Sequence, residues 1–305
     1  MVSPFIRNYA LGPEAPATAQ LRTCLGCGHR FFRERYLPNE ISRLYNDYRG
    51  KEYLEVRQAW EPWYSRKIND RNLLDETKHR RQEMLLNALK RAGLNDSIRR
   101  VVVDVGGDAG QFIPLSLSDG AYVLETSNRQ PSQGVERIRD LSELPKPAGL
   151  VFCLHVLEHV PEPKKFLRDL LASPKIGLDA WIVLEVPLER PALSTNLNQL
   201  AYKRWLSWLS HHRQLLILLD AASTFARATL GRITWPLFIK QHEHVQFFHA
   251  KSFTELAKRS GVQPCLMEKT TGLNLKTHQG SLLLIGRLRQ RVLPPLELDF
   301  PQVMD

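Results

Sequence analysis

The chain has 305 residues, of which 43% are hydrophobic, and a formal net charge of +10. A mean hydropathy of -0.30 excludes a membrane-embedded protein, the apolar content excludes a disordered chain, and the length allows one large domain with additions or two small ones. The positive balance suggests an anionic partner and does not choose among nucleic acid, a membrane surface and a phosphorylated substrate.

Read in order, the first residues lack a basic segment followed by an apolar one, and no charge-free run reaches membrane-spanning length. Cysteines at 24, 27, 153 and 265 form no disulfide framework, so a cytoplasmic location is expected. Cys24 and Cys27 make a C-x-x-C-G-H knuckle, a turn able to give two thiolates to one zinc. Zinc needs a tetrahedral set of ligands, no second C-x-x-C follows, and His29 is cramped for chelation so close to Cys27. Cys24 and Cys27 are thus metal candidates in an incomplete site, and a degenerate knuckle that only packs is expected over 1–59.

Over 60–94 the composition turns helical. Leu73, Leu74, Met84, Leu85, Ala88, Leu89 and Ala92 recur at three- and four-residue spacing, Gly93 is the stop, and a helical cover is expected over 60–98. Residues 101–112, VVVDVGGDAGQF, read as a strand, a tight turn and a helix start. Gly106, Gly107 and Gly110 admit positive φ and let backbone approach a ligand. A second strand, 121–124, runs into Glu125, 21 residues after Asp104, where nucleotide sites place an acid for ribose hydroxyls. The dinucleotide pattern G-x-G-x-x-G does not fit, because Asp108 and Gln111 occupy its later glycine positions.

Further strands are expected at 135–139, 149–155, 181–187, 265–269 and 281–287, with helices near 111–117 and at 163–172. Alternation of this kind implies a parallel, doubly wound sheet whose ligands sit beyond the carboxyl ends of the strands. The run HVLEHVPEP then places His155, Glu158 and His159 near one strand end. Residues 191–251 carry seven Lys or Arg against two acidic residues, with Trp205, Leu206, Trp208, Leu209 and LLILL among them. A helical lid or dimer contact is expected over 191–240, and a membrane-surface contact through 200–240 competes with it. Next come His242, Glu243 and His244; in extended chain the two histidines share a face. Ser252 with Glu255 reads as a capping box for a helix ending at Gly261, and the Pro-rich tail, 291–305, is expected to be loose.

Several of these stretches resemble class I S-adenosylmethionine-dependent methyltransferases. Asp104 to Gly110 matches D-x-G-x-G-x-G with Asp108 in place of the middle glycine, and HVLEHVPEP resembles the segment after the fourth strand. Glu243, His244 and Phe248 match the E-H-x-x-x-F segment of the sugar C-methyltransferase branch. Residues 24–48, with Phe31, Phe32 and LYNDY, resemble that branch's amino-terminal zinc ribbon without its preceding cysteine pair. The resemblance covers about 20–290 and implies an α/β fold with a doubly wound, seven-stranded Rossmann-like sheet over 99–290. It implies S-adenosylmethionine as cofactor, with Asp104, Gly106, Gly107, Asp108, Gly110, Phe112, Glu125, Thr126 and His155 as its binding residues. Glu158 and His159 stand between a site role and fold support. Glu243 and His244 are the catalytic candidates facing a sugar, with His244 as general base, since an ordinary imidazole accepts a proton at neutral pH.

Relatives that methylate sugar carbon carry a further carboxyl-terminal domain, so O-methylation of a sugar, sugar nucleotide or surface glycan is expected here. Nucleic-acid or protein methylation is the first alternative, favoured by charge but lacking the D/N-P-P-Y motif. A non-catalytic binding protein of the same fold is the second. A homodimer and a place on the inner membrane face stay open.

Overall fold

Strands that are apolar on both faces need cover on both, and this requirement sets the architecture. The computed structural model describes residues 1–12, 14–70, 74–127, 129–189, 193–194, 199–230, 233–270 and 280–292. A short helix α1 (Pro4–Ile6) runs into a π-helical turn (Arg7–Leu11), strands β1 (Leu21–Thr23) and β2 (Arg30–Phe32) form a ribbon, and helices α2 (Pro38–Asn46), α3 (Lys51–Trp60), α4 (Arg66–Asn69) and α5 (Asp75–Arg91) follow. Strands β3 (Arg100–Val105), β4 (Ser118–Leu124), β5 (Glu136–Ile138) and β6 (Ala148–Leu154) lead to helix α6 (Pro163–Ala172) and strand β7 (Ile176–Pro187). After β8 (Leu193–Ser194) come α7 (Gln199–Leu209), α8 (Arg213–Leu230), β9 (Ile233–Thr234), β10 (Gln246–Phe247), α9 (Ala250–Arg259), β11 (Val262–Thr270) and β12 (Ser281–Leu288).

The main sheet has seven strands in the order β11-β12-β7-β6-β3-β4-β5. Strands β3 to β7 pair in parallel, whereas β12 enters antiparallel between β7 and β11. Side chains alternate between its faces. Val103, Val151, Cys153, Ile182 and Leu184 pack under Leu167 and Leu171 of α6 and Phe253 and Ala257 of α9. Val102, Leu150, Phe152 and Val183 pack under Leu85, Ala88 and Leu89 of α5. The expected α/β sheet is present with its strands in the expected places.

Several local expectations change. Residues 108–112 are turns, and only a 3-10 turn at Leu115–Leu117 stands where a helix is expected. Pro114 explains this: it disfavours the helical region for the residue before it and donates no backbone hydrogen bond. The helical cover over 60–94 is α4 and α5 preceded by the end of α3, with Gly93 at φ +96 past the last turn; Leu73 lies outside the described residues. Helix α9 begins at Ala250, and Ser252 serves as its third residue, its hydroxyl accepting from His249 N–H at 3.1 Å. The tail from Pro294 also lies outside the described residues.

The amino-terminal residues build a third core, in which Phe5, Ile6, Tyr36, Leu44, Tyr53 and Tyr64 close around Val245. The insert rests on this region through Met1, Leu206, Leu209, Leu216 and Phe238. Its outer side leaves Leu200, Trp208, Leu218, Phe225 and Trp235 exposed. Among the described residues no helix is long and apolar enough to cross a membrane.

Candidate active site

Parallel register brings the glycine turn and the acidic residue together. Val105 lies opposite Leu124, so the chain leaves β3 and β4 side by side. A Cβ on Gly106, at φ +66, would stand 2.9 Å from Val156, and one on Gly107 would stand 2.2 Å from the Asp104 carboxyl carbon. Both positions need bare backbone. Asp108 adopts the left-handed conformation, φ 59, that its place in the turn requires, and aspartate tolerates it. Its carboxylate pairs with Arg129 at 2.9 Å, and its N–H donates to Glu125 Oε2 at 3.2 Å. Ser127 N–H donates to Glu125 Oε1 at 2.9 Å, so backbone donors fix this carboxylate beyond β4. Asp104 is buried with Oδ1 unpartnered, and burial, reinforced by Glu125, pushes its carboxyl up to about 7.

A cavity of about 580 Å³ opens over these strand ends, within the usual range for small-molecule sites. Asp104, Gly106, Gly107, Asp108, Phe112, Glu125, Thr126 and His155 all line it. Gly110 does not. Its missing Cβ would meet Val135 at 2.8 Å, so this glycine lets the turn pack on the sheet. Bare backbone at two glycines, a fixed carboxylate for hydroxyls and an unpartnered carboxylate oxygen fit a ligand with ribose and amino-acid groups.

The opposite wall is assembled from distant segments. Val245 and Gln246 N–H groups donate to the Glu158 carbonyl at 2.8 and 3.1 Å, and His159 Nδ1 lies 3.1 Å from the Glu243 carbonyl. These bonds bring Glu158, His159, Glu243 and His244 to the cavity. His155, at φ 57, sets Nδ1 3.2 Å from Glu158 Oε1 and Nε2 3.5 Å from Glu185 Oε1. Arg81 of α5 pairs with that buried Glu185. The amino-terminal region adds Ile41, Ser42, Tyr45, Tyr48 and Arg49.

Within this wall the two catalytic candidates differ. Glu243 accepts from Tyr53 and Arg57, the latter at 3.1 Å, and from Tyr48 at 3.4 Å. Burial alone would raise its pKa, yet Arg57, His242 and His159 outweigh burial and take it down to about 2. Such a carboxylate is an anchor and a poor proton acceptor. His244 faces His159, ring centroids 4.8 Å apart, with Nδ1 3.2 Å from Glu189. Burial disfavours its charged form, but Glu189, by charge and hydrogen bond, with Glu158 and Glu243 behind it, raises its pKa to about 9.

His242 departs from the expectation that it shares a face with His244. Residues 242–243 form a bend, so strand alternation fails, and His242 stacks on Phe5 with Nε2 3.1 Å from Glu61. Glu61 also pairs with Lys240 at 2.5 Å and with Arg57 at 2.9 Å, tying α3 to the site. Cys24 and Cys27 sit on the knuckle turn, where Cys24 N–H donates to the His29 carbonyl at 2.7 Å. His29 is engaged with Gln246 at 2.8 Å, and no third ligand groups with the two cysteines among the described residues. Tyr45, Tyr48, Arg49, Arg81 and Glu189 escape the sequence reading as site residues. An aromatic-rich helix end, LYNDY, is the one local signal for the first two; Arg81 and Glu189 leave none.

A family model described as a methyltransferase domain matches residues 77–264, more than half of the chain. No curated protein sequence matches it. Among solved structures it is similar to a 1,6-didemethyltoxoflavin-N1-methyltransferase of Burkholderia thailandensis, with 11% identity over 89% of this chain and 100% of that one and a TM-score of 0.47. It is also similar to a magnesium protoporphyrin IX methyltransferase of Synechocystis, with 17% identity over 70% of this chain and 84% of that one and a TM-score of 0.38. With the family model spanning helix α5 through strand β10 and into β11, the chain belongs to the methyltransferase-domain family and is a class I S-adenosylmethionine-dependent enzyme.

Proposed function

We propose that this methyltransferase acts on a hydroxyl of a sugar, sugar nucleotide or surface glycan, with His244 as the group that receives the hydroxyl proton. The observation that carries the reading is that His244 lines the same cavity as the glycine turn, backed by Glu189 at 3.2 Å. S-adenosylmethionine supplies a methyl group on positively charged sulfur. The chain's own work is then to align the acceptor and manage one proton. Glu189 favours the charged form of His244, and the positive sulfur of bound S-adenosylmethionine would oppose it and return the imidazole toward its basic form.

The acceptor wall supports a polar, ring-shaped substrate. Tyr45 and Tyr48 offer flat apolar faces with hydroxyl tips, and Ser42 and Arg49 offer hydrogen-bond donors, Arg49 being suited to a phosphate. Glu243 positions this wall by holding Tyr48 and Tyr53. Exposed Leu200, Trp208, Leu218, Phe225 and Trp235, with Lys203 and Arg204 among them, fit contact with an anionic membrane surface, where an acceptor would be lipid-linked.

The test is methyl transfer to nucleotide sugars and glycans by wild type and His244→Ala, with S-adenosylhomocysteine affinity measured calorimetrically on both. Turnover falling by about 100-fold or more with affinity within twofold is the expected result. Equal loss of cofactor affinity in His244→Ala refutes a role confined to the acceptor.

A further inference from the structure

We propose that Glu158, His159 and His244 form a binding site for one divalent first-row transition-metal cation in the acceptor half of the cavity. Their ligand atoms all lie within 4.8 Å of one another, the one such group among the described residues. His159 Nε2 is already 3.8 Å from Glu158 Oε1. An ion held at about 2.1 Å needs these atoms to close to about 3–3.4 Å, a modest side-chain adjustment.

Three further observations point to a ligand. First, Glu158 is fully buried, lines the cavity, and leaves Oε2 without a hydrogen-bond partner. Second, both imidazoles are oriented from behind at Nδ1: His159 against the Glu243 carbonyl at 3.1 Å, His244 against Glu189 at 3.2 Å. With Nδ1 turned to these acceptors, Nε2 is the nitrogen left to face a metal, which binds it by displacing any Nε2 proton to solvent, the usual arrangement behind metal-bound histidine. Third, Glu189, 3.2 Å behind His244, brings negative charge to the same corner, which favours a cation.

Two imidazoles and one carboxylate select Zn²⁺, Mn²⁺ or Fe²⁺ over Mg²⁺, whose preferred donors are oxygens. Three protein ligands leave positions open for a substrate hydroxyl, and an oxygen on such a cation gives up its proton more readily. The inference rests on reading this cavity as the acceptor site. It changes His244, when the cation is present, from proton acceptor to ligand.

Chelator-stripped full-length protein, carrying Cys24→Ser and Cys27→Ser so that the knuckle cannot contribute, is titrated with Zn²⁺, Mn²⁺ and Mg²⁺ in a calorimeter. One equivalent of Zn²⁺ or Mn²⁺ is expected, with Mg²⁺ weaker. Glu158→Gln, His159→Asn and His244→Asn should each weaken binding by about 10- to 100-fold while keeping S-adenosylhomocysteine affinity, which verifies the fold. If one variant loses that affinity, the other two decide. No binding to the parent protein, or binding unchanged in the folded variants, overturns the inference. Failure of the metal titration beside a turnover defect in His244→Ala leaves the proton-acceptor reading standing, whereas an intact turnover in His244→Ala removes that reading without touching the metal result.

Discussion

The two halves of the cavity are built by opposite means. The half proposed for the cofactor comes, apart from His155, from nearly consecutive chain, Asp104 through Thr126, and its hydrogen bonds span short distances in sequence: Asp108 to Glu125 is 17 residues, Ser127 to Glu125 is two. The acceptor half joins pieces far apart, with Tyr53 reaching Glu243 across 190 residues and Tyr48 across 195. A half made locally keeps its shape when remote segments vary; a half made by long-range packing changes with every element that supports it. One sheet can therefore hold one cofactor and accept many substrates.

Mutations that strike one half test this division. The largest effect is expected from Gly106→Arg, which places a side chain at φ +66 and a Cβ 2.9 Å from Val156. Calorimetry with S-adenosylhomocysteine should show affinity lost by at least about 100-fold, and retained affinity would mean the turn does not meet the ligand.

Next, Arg57→Ala strands Glu243 among Tyr48 and Tyr53 with its buried positive partner gone. A stability loss of about 3–5 kcal/mol is expected from denaturant unfolding, since removing one side of a buried pair leaves an uncompensated charge. Affinity for the proposed acceptor should suffer before cofactor affinity does. If both fall equally, the halves are not independent.

Glu125→Ala should weaken cofactor affinity by about 10-fold, less than the glycine change because it removes hydrogen bonds and leaves the space open. The smallest effect concerns acid. Burial tends to raise the Glu61 carboxyl, but Lys240, His242 and Arg57 hold it well below its ordinary 4.5. Its folded pKa is depressed, so its contribution to stability is present above pH 4.5 and is lost as pH falls below it, by up to about 1.4 kcal/mol per pH unit. Thermal unfolding of wild type against Glu61→Gln should converge below that pH.

Much of the cofactor half was legible because its determinants are local. Alternating apolar residues around Asp104, glycines whose φ or close contacts exclude side chains, and an acid ending the next strand reveal themselves in order, and even Asp108 in a glycine position keeps the turn because aspartate tolerates φ 59. The lack of a helix after the turn is a local property too, because Pro114 interrupts the apolar run.

The sequence by itself determined the seven-strand alternation and the glycine turn, since period and backbone freedom act over a few residues, while the candidacy of Glu243 and His244 came from the family resemblance of their segment. Only the tertiary structure separated the roles of that adjacent pair. A bend at 242–243 breaks strand alternation, sending His242 to Glu61 and His244 to Glu189, and the tyrosines and Arg57 of a remote helical region turn Glu243 into an anchor. Charges buried by long-range packing take their pKa from neighbours that the chain order does not reveal, and so the division of labour between neighbouring residues was decided in three dimensions.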